Sequence, residues 1–268
     1  MSEMPDWTTW QRSEWRRWHR EREDALRSPY GWLSVTALHW LDATPTRIEG
    51  FPGLWSGDEY CVQVDLDPDD QVAREGEPVS GTVVIELEDD ESDESLFHAG
   101  VVAEVGIRGG RPMVRLHDPQ APALSAFTGV PTFDWDPSWV VAARFVRYGQ
   151  EVVREIATAH PQVRQPMAFW GEVSFTREEH DVTLMVSGGD GSAFVVFTDP
   201  TNGIDTAEWR SVPLGEVDPA GGTTLDFNLA TNFPSAFIPG RATCPRPEPE
   251  NDLPFPITAG EKRPAPDA

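Results

Sequence analysis

The chain has 268 residues, of which 39% are hydrophobic, with 11 Trp and 13 Phe, and this composition excludes a disordered chain. Its 45 acidic residues against 21 basic ones give a formal net charge of −24, and such a field disfavours binding to nucleic acid or to an anionic membrane surface. The 25 Pro and 22 Gly favour an architecture with many turns over one of long helices.

The N-terminal segment carries a helical pattern. Asp6 is a candidate N-cap, and the Ser28-Pro29-Tyr30-Gly31 string ends the pattern. The large apolar residues that recur at roughly helical spacing are Trp7, Trp10, Trp15, Trp18 and Leu26. The sequence therefore predicts one helix over residues 6–27, packed through its indoles against the rest of the protein.

From residue 32 the pattern changes to short apolar runs separated by turn residues, and links such as Arg108-Gly109-Gly110 are typical of hairpins. The candidate strands are 32–41, 60–66, 81–87, 101–107, 113–116, 139–146, 151–156, 168–175, 182–186, 193–197 and 224–227. We therefore predict a mainly β core over residues 32–227, folded as an antiparallel β-barrel or a two-sheet sandwich. The acidic stretch 86–94 is predicted to be a solvated loop.

The C-terminal segment is rich in proline, which ordinarily indicates a disordered linker. It also contains apolar residues that a disordered tail rarely needs, namely Phe233, Phe237, Ile238, Leu253, Phe255 and Ile257. We therefore predict that residues 228–262, named the strap below, form an ordered coil across the β core. The whole chain, 1–268, is predicted to be a single domain.

Cellular location and partners follow from what the sequence lacks. Only Cys61 and Cys244 are present, too few for a disulfide framework or a thiolate metal site. The N-terminus has no signal-peptide core and no segment approaches a membrane span, so a cytoplasmic protein is predicted, with no cofactor and no metal. A homo-oligomer is compatible with the sequence.

Lys262 is the only lysine, which fits either a salt-rich, halophilic cytoplasm or an arginine-biased genome.

Five strings resemble one family along nearly the whole chain. They are RSPYGWLSVTALHWL at 27–41, VRLHDPQAPALSAFTGV at 114–130, FTDPTNGIDTAEWRSVPL at 197–214, the tryptophan-bearing first helix, and the tail from Asp226 to Lys262. Together they are similar to the uncharacterised bacterial and archaeal proteins called domain of unknown function 1684. The resemblance implies landmark positions but no reaction.

The tail departs from the family pattern, which resembles A-Y-N-P-P-C-A-F. Thr231 stands where Tyr is usual, Phe233 where Pro is usual and Ser235 where Cys is usual. A role that needs a phenol or two neighbouring thiols therefore cannot operate in this chain. Among the polar residues that match the resemblance, those we take as candidate ligand-binding groups are Arg115, Arg210, Asn232 and Asn251.

His39 is the first candidate catalytic residue. It lies in the apolar run Leu38-His39-Trp40-Leu41, and an imidazole suits general-base chemistry near neutral pH. The alternative is a structural histidine that donates to a backbone carbonyl. His117 and the remaining histidines are predicted to be surface residues.

Asp199 is the second candidate catalytic residue. The string Asp199-Pro200-Thr201-Asn202-Gly203 predicts a turn at the end of a strand. Arg210 could bind an anionic ligand or form an ion pair with Asp199, and structural pairing is the alternative that we favour.

Glu250 is the third candidate catalytic residue, because the prolines before it stiffen the strap and could present its carboxylate to His39. Alternatively, Glu250 pins the strap to Arg115 or Arg144. Cys244 has no activating base adjacent in sequence and is predicted to be a buried structural cysteine.

Three functions fit these observations. The first is a small-molecule enzyme, a metal-independent hydrolase or lyase, with its site between the β core and the strap. The second is a non-catalytic small-ligand-binding protein that uses the same cavity. The third is a structural or interaction protein. Zinc-ligand spacing, a phosphate-binding loop and a nucleophile elbow are absent from the sequence.

Overall fold

The computed structural model describes residues 7–189 and 191–264, with side chains described from residue 11 onward. The first helix, α1 (Trp7–Leu26), matches the predicted helix. Its proposed cap Asp6 lies outside the described residues, as do the side chains of Trp7 and Trp10. The indole of Trp15 donates to the Asn228 carbonyl at 2.9 Å, so this helix is tied to the start of the strap.

The rest of the described chain is mainly strand, with one further short α-helix, α2 (Pro122–Ala126), and several single-turn 3-10 helices. The strands are β1 (Val35–Trp40), β2 (Thr46–Ile48), β3 (Phe51–Gly57), β4 (Cys61–Leu66), β5 (Val72–Arg74), β6 (Glu77–Val79), β7 (Gly81–Glu86), β8 (Ser92–His98), β9 (Val101–Arg108), β10 (Arg111–His117), β11 (Val140–Ala157), β12 (Arg164–Arg177), β13 (His180–Ser187), β14 (Phe194–Phe197), β15 (Arg210–Pro213), β16 (Gly222–Asp226) and β17 (Thr231–Asn232). The paired strands are antiparallel.

Two sheets from the first half of the chain enclose one core. A six-stranded sheet has the order β1-β10-β9-β8-β5-β6, and a four-stranded sheet has the order β2-β3-β4-β7. Apolar side chains from both sheets meet between them, including Trp55 and Leu96, both fully buried. The period-2 alternation of the strands therefore fills a shared interior.

A seven-stranded sheet with the order β16-β11-β12-β13-β14-β15-β17 holds the second core. The strap supplies one wall of this core, because Leu253, Phe255 and Ile257 are buried among the strand side chains. A third cluster joins Leu26 at the end of α1 to Trp209 and to Phe237 of the strap. The strap therefore contributes side chains to two of the cores.

The predicted fold class is confirmed: the protein is mainly β, with antiparallel sheets, one long N-terminal helix and a proline-rich strap. The predicted hairpin at Arg108-Gly109-Gly110 is also present, since Arg108 pairs with Arg111 across two glycines with φ of +59° and +68°. Positive φ at both central residues suits the tight turn that matches strand twist.

Some strand boundaries differ from the predictions. From Val140 onward, the runs 139–146 and 151–156 belong to the single strand β11, because a bulge opposite Trp170 accommodates Tyr148 to Glu151. The acidic stretch 86–94 is not wholly loop, since it includes the end of β7 and the start of β8. In β8 only Leu96 is fully buried, so the strand has little of the apolar alternation on which the prediction depended.

No helix among the described residues is both long and apolar enough to cross a membrane.

Candidate functional site

A cleft of about 550 Å³ lies between the β core and the strap, and we name it the strap cleft. Residues 203–209, between β14 and β15, form one side, and residues 233–240 of the strap form the other. Ala207, Phe233 and Phe237 give it apolar walls, whereas Arg246 and Arg263 contribute positive charge. This combination of an apolar surface with a few charged groups is typical of small-molecule sites.

Trp209 and Arg246 form a stacked pair at the strap cleft. The guanidinium carbon of Arg246 lies 4.4 Å from the centre of the Trp209 ring, within cation–π range. Arg246 also donates from Nε to the Thr158 carbonyl at 3.1 Å and from Nη2 to Glu208 at 3.1 Å. The indole N–H of Trp209 is buried and has no hydrogen-bond acceptor, an arrangement that costs about 1–3 kcal/mol.

Arg263 supplies the second positive charge. Its backbone N–H donates to the Asp205 carbonyl at 2.9 Å, which fixes the chain beside the cleft. Within the described residues its guanidinium has no ion pair or hydrogen bond. Arg246 is therefore held in place by protein groups, whereas the guanidinium of Arg263 is available to a ligand.

The strap side of the cleft carries two of the three residues at which the tail departs from the family pattern. Phe233 and Ser235 both line the cleft, and Ser235 contacts Cys244. Burial raises the pKa of the Cys244 thiol, an effect that outweighs the hydrogen bonds with Ser235. The thiol is thus a poor nucleophile, and the predicted burial of Cys244 is confirmed.

A second polar group, named the Glu104 cluster, consists of Ser34, Ser92, Glu104, Arg115 and His117. Glu104 is only 5% exposed and accepts from Arg115 Nη1 at 2.6 and 2.8 Å. It lies 3.0 Å from His117 Nε2 and accepts from Ser92 at 2.8 Å. Burial raises the pKa of Glu104, but the hydrogen bond with His117, the charge of Arg115 and the bond from Ser92 together lower it from 4.5 to about 2.

Ser34, His117 and Glu104 are connected in the order found in hydrolase triads. His117 Nδ1 lies 3.0 Å from Ser34 Oγ, and its Nε2 lies beside Glu104. However, Ser34 is fully buried and its hydroxyl donates to the Gly31 carbonyl at 2.6 Å. A nucleophile needs access to substrate and a base to receive its proton, so this array serves as a buried charge network. His117 was predicted to be a surface residue, and that prediction is wrong.

The Glu104 cluster also connects the two halves of the chain. Arg115, predicted as a ligand-binding residue, is 1% exposed and donates from Nε to the Arg241 carbonyl of the strap at 3.0 Å. Its guanidinium lies 5.0 Å from the centre of the Trp32 ring. The guanidinium is thus engaged by protein groups, and Arg115 acts as a structural anchor between β10 and the strap.

One trio in this cluster has metal-ligand chemistry, because Glu94, Glu104 and His117 offer ligand atoms within 4.8 Å of one another. The guanidinium of Arg115 already lies 2.6 Å from Glu104, so a cation there would meet a fixed positive charge. The donor set fits an ion pair better than a metal ion.

Asp199 and Arg210 form the ion pair that the sequence suggested, at 2.9 Å, with both side chains fully buried. Arg210 also donates to the carbonyls of Ala259 at 2.6 Å and of Ile257 at 3.0 Å. The other oxygen of Asp199 accepts from Thr201 and from the Ile257 N–H. The structure brings the two residues together to hold the end of the strap.

Asn232 and Asn251, both predicted to bind ligand, lie in separate structural networks. The Asn232 N–H donates to Glu261 at 2.7 Å, and its side chain donates to the Lys262 carbonyl at 2.8 Å. Asn251 accepts from the Met185 N–H at 2.7 Å and donates to the carbonyls of Met185 and Val196 at 3.0 and 2.8 Å. Both are buried.

The structure does not bring His39 and Glu250 together. His39 lies on β1, where its Nε2 is 3.1 Å from the Glu49 carbonyl, the geometry of the structural alternative. Glu250 pairs with Arg154 on β11 at 2.8 Å, neither with His39 nor with Arg115 or Arg144. Neither residue lines the strap cleft, and their catalytic roles stay predictions.

Several residues that now define the site were missed in the sequence, namely Glu104, Trp209, Arg246 and Arg263. Glu104 had a signal, because it is a lone carboxylate inside the apolar run Val101 to Ile107. The cleft residues had none, since they come from distant parts of the chain and meet only in the fold.

The fold and this geometry define a class: a mainly β protein whose C-terminal strap closes one core and bounds a cleft. Residues 125–262 match the family model described as "Protein of unknown function (DUF1684)". The match covers half of the chain, so the protein belongs to this family. The resembling string at 27–41 lies outside the matched residues.

No curated protein matches the chain. Among solved structures, it is similar to the solution NMR structure of an uncharacterized protein of Haloarcula marismortui, with 25% sequence identity and a TM-score of 0.43. The similarity covers 52% of this chain and 78% of that one.

Proposed function

We propose that the protein binds a small organic molecule in the strap cleft, and that this molecule combines an apolar body with an oxyanion. The observation that carries the proposal is the buried indole N–H of Trp209, which lacks an acceptor at the wall of the cleft. This N–H is covered in the free protein, so we expect the indole to rotate on binding and to donate to an oxyanion beside Arg246. The unmet donor then favours the bound state, because its cost is present only without ligand.

The charges at the cleft support an anionic ligand. Arg246 and Arg263 are two cations against the single carboxylate of Glu208 among the lining residues, in a protein whose net charge is −24. The guanidinium of Arg263 offers five N–H donors in a fork that suits carboxylate, sulfonate or phosphate oxygens. The side chains of Phe233 and Phe237 would contact the apolar body.

Binding is favoured over turnover by the chemistry of the cleft. Its described lining contains neither His nor Asp, and Glu208 is paired with Arg246. The hydroxyl of Thr206 is already hydrogen bonded to Thr201 and Asn202. A hydrolase would need a nucleophile with a base beside it, so the ligand-binding function is the better supported of the two predicted for this location.

The test uses two probes with the same aromatic body, 1-anilinonaphthalene-8-sulfonate and its neutral parent N-phenyl-1-naphthylamine. We expect the sulfonate to bind more tightly to the wild-type protein, measured by isothermal titration calorimetry. Arg263→Gln should weaken sulfonate binding about tenfold and leave the neutral probe unchanged, since it removes one charge-assisted contact. Arg47→Gln, at an exposed position on β2, is the matched control. Equal affinity for the two probes would contradict an oxyanion site.

Trp209→Phe gives a second, independent test. This change removes the indole N–H while an aromatic ring remains. Because that N–H has no partner in the free protein, we expect unfolding in urea without ligand to show no hydrogen-bond loss. Sulfonate binding should nevertheless weaken severalfold. If stability falls while affinity is unchanged, Trp209 has only a packing role.

A further inference from the structure

We propose that the free edge of β7 is a second binding site, at which an extended segment of a basic protein partner adds as a further β-strand. This site is independent of the strap cleft. β7 is the last strand of the four-stranded sheet and pairs on one side with β4. Its sequence, Gly81 to Glu86, contains the β-branched run Thr82-Val83-Val84-Ile85 and no proline, so the strand is regular along its length.

The register shows which backbone groups are free. The Leu87 N–H donates to the Tyr60 carbonyl at 3.0 Å, and in an antiparallel pair the bonded positions alternate. Val83 and Ile85 therefore point their N–H and C=O groups towards β4. Thr82, Val84 and Glu86 point theirs away from the sheet. These three residues form a template with the spacing that an added strand requires.

Grooves of about 430 and 400 Å³ adjoin this edge. The first is lined by Val84 and Ile85 of β7 together with Ser92 and Asp93 of β8. The second lies beside Tyr60 and shares Val84 with the first. Tyr60 is 69% exposed and Val84 is 46% exposed. Alternate side chains of an added strand would contact these apolar groups, as strand-addition sites require for specificity.

The charge of the grooves identifies the partner as basic. The carboxylates that line them are Asp58, Glu86, Glu88, Glu91 and Asp93, whereas Arg74 is the one cation in their described lining. Arg74 also donates to Ser95 at 3.2 Å. Two copies of this edge would repel each other, because like charges facing across strands are destabilising. A segment that alternates Lys or Arg with apolar residues is complementary in both charge and pattern.

The experiment uses a fluorescent peptide, acetyl-Lys-Val-Arg-Val-Lys-Val-Gly-amide, and measures its binding to the full chain by fluorescence anisotropy. Val84→Pro removes an N–H that faces away from β4, so the sheet keeps its own hydrogen bonds and proline is tolerated at such an edge position. We expect at least about tenfold weaker binding, because the added strand loses backbone bonds. Val84→Ala keeps the N–H and should change affinity by less than about threefold.

Altered peptides test the same contacts on the unchanged protein, so the result does not depend on the folding of the proline variant. Two isomers, each N-methylated at one alternate set of amides, distinguish strand pairing from charge attraction alone. One isomer should bind like the parent and the other at least about tenfold more weakly. Equal binding by both isomers, or by a peptide with Glu in place of Lys and Arg, would overturn the proposal. A dimer of the protein that Val84→Pro abolishes would assign the edge to a second copy and also overturn it.

Discussion

At the scale of single residues, the central feature is Glu104, a carboxylate within a strand whose neighbours are buried. It lies directly opposite Arg115 in the pairing of β9 with β10, so one cross-strand pair places both charges in the interior. His117 and Ser92 then satisfy the remaining capacity of the carboxylate. Buried ion pairs of this kind add little net stability, but removing one of the two partners is costly.

Glu104→Gln should destabilise the protein strongly. The amide keeps the shape of the side chain but leaves the guanidinium of Arg115 without its counter-charge. Removing one member of a buried pair costs about 3–5 kcal/mol, and urea denaturation measures this loss. Glu94→Gln is the control, because Glu94 is exposed beside the same cluster. A similar loss in both variants would mean that the buried pair has no special role.

Acidification should remove the same contribution in the wild-type protein. The pKa of Glu104 is lowered from 4.5 to about 2 in the folded state. The unfolded chain therefore binds more protons between these two values, and stability present above pH 4.5 is lost as the pH falls towards 2. The integrated loss is about 3 kcal/mol.

The free energy of unfolding, measured from pH 6 to pH 2, is best compared with that of Glu104→Gln, because other titrating groups then cancel. The difference between the two proteins should shrink as the pH falls. A constant difference over this range would show that Glu104 does not titrate there.

How far the sequence predicted these residues depends on how far apart they lie. Asp199 and Arg210 are 11 positions apart, and their pairing is one of the two alternatives that the sequence offers for Arg210. Glu104 and Arg115 are equally close, but recognising them required the register of one hairpin. Trp209, Arg246 and Arg263 meet only because the strap folds back, and apolar periodicity holds no information about that path.

At the scale of elements, the strap replaces a missing part of the seven-stranded sheet. β13 and β14 share only the pair Ser187 with Phe194, so the two strands separate beyond it. Asn251 occupies the gap, and its amide forms the hydrogen bonds that a neighbouring strand would make to Met185 and Val196. The Thr198 N–H then donates to the Asn251 carbonyl at 3.0 Å.

Asn251→Ala should therefore open this end of the sheet. The change leaves one buried N–H and two buried carbonyls without partners, at a cost of about 2–4 kcal/mol. Amide hydrogen exchange at Met185 should accelerate, since its N–H loses its acceptor. Glu250→Ala is the adjacent control, and because its ion pair with Arg154 is exposed it should change stability far less. Unchanged protection at Met185 would contradict this role for Asn251.

The strap was predictable as an ordered segment but not as a particular set of contacts. Phe255 and Ile257 indicated burial, and proline ruled out regular ladder pairing along most of its length. Its hydrogen bonds come from side chains such as Arg210 and Asn251, which reach backbone groups far away in sequence. Those partners depend on tertiary position, so a pattern of local residues could not select them.

At the scale of the whole molecule, the charge of −24 is distributed unevenly. Arg115 and Arg210 are buried in pairs with acidic groups, and because these pairs are neutral the acidic excess lies in the rest of the molecule. The grooves beside β7 are locally acidic, whereas the two cations make the strap cleft locally basic. We expect opposite ligand preferences at the two proposed sites from this distribution.

Surface repulsion of this size should make stability depend on salt. The Debye length falls from about 10 Å at 0.1 M to about 3 Å at 1 M, which screens carboxylates from one another in the folded protein. We expect the Tm to rise by at least about 5 °C between 0.1 and 2 M KCl, equivalent to roughly 2 kcal/mol. Sucrose at the same osmolarity is the control, because it stabilises by exclusion without screening charge. A Tm that does not change with KCl would favour the arginine-biased genome as the origin of the composition, since codon bias alone requires no adaptation to salt.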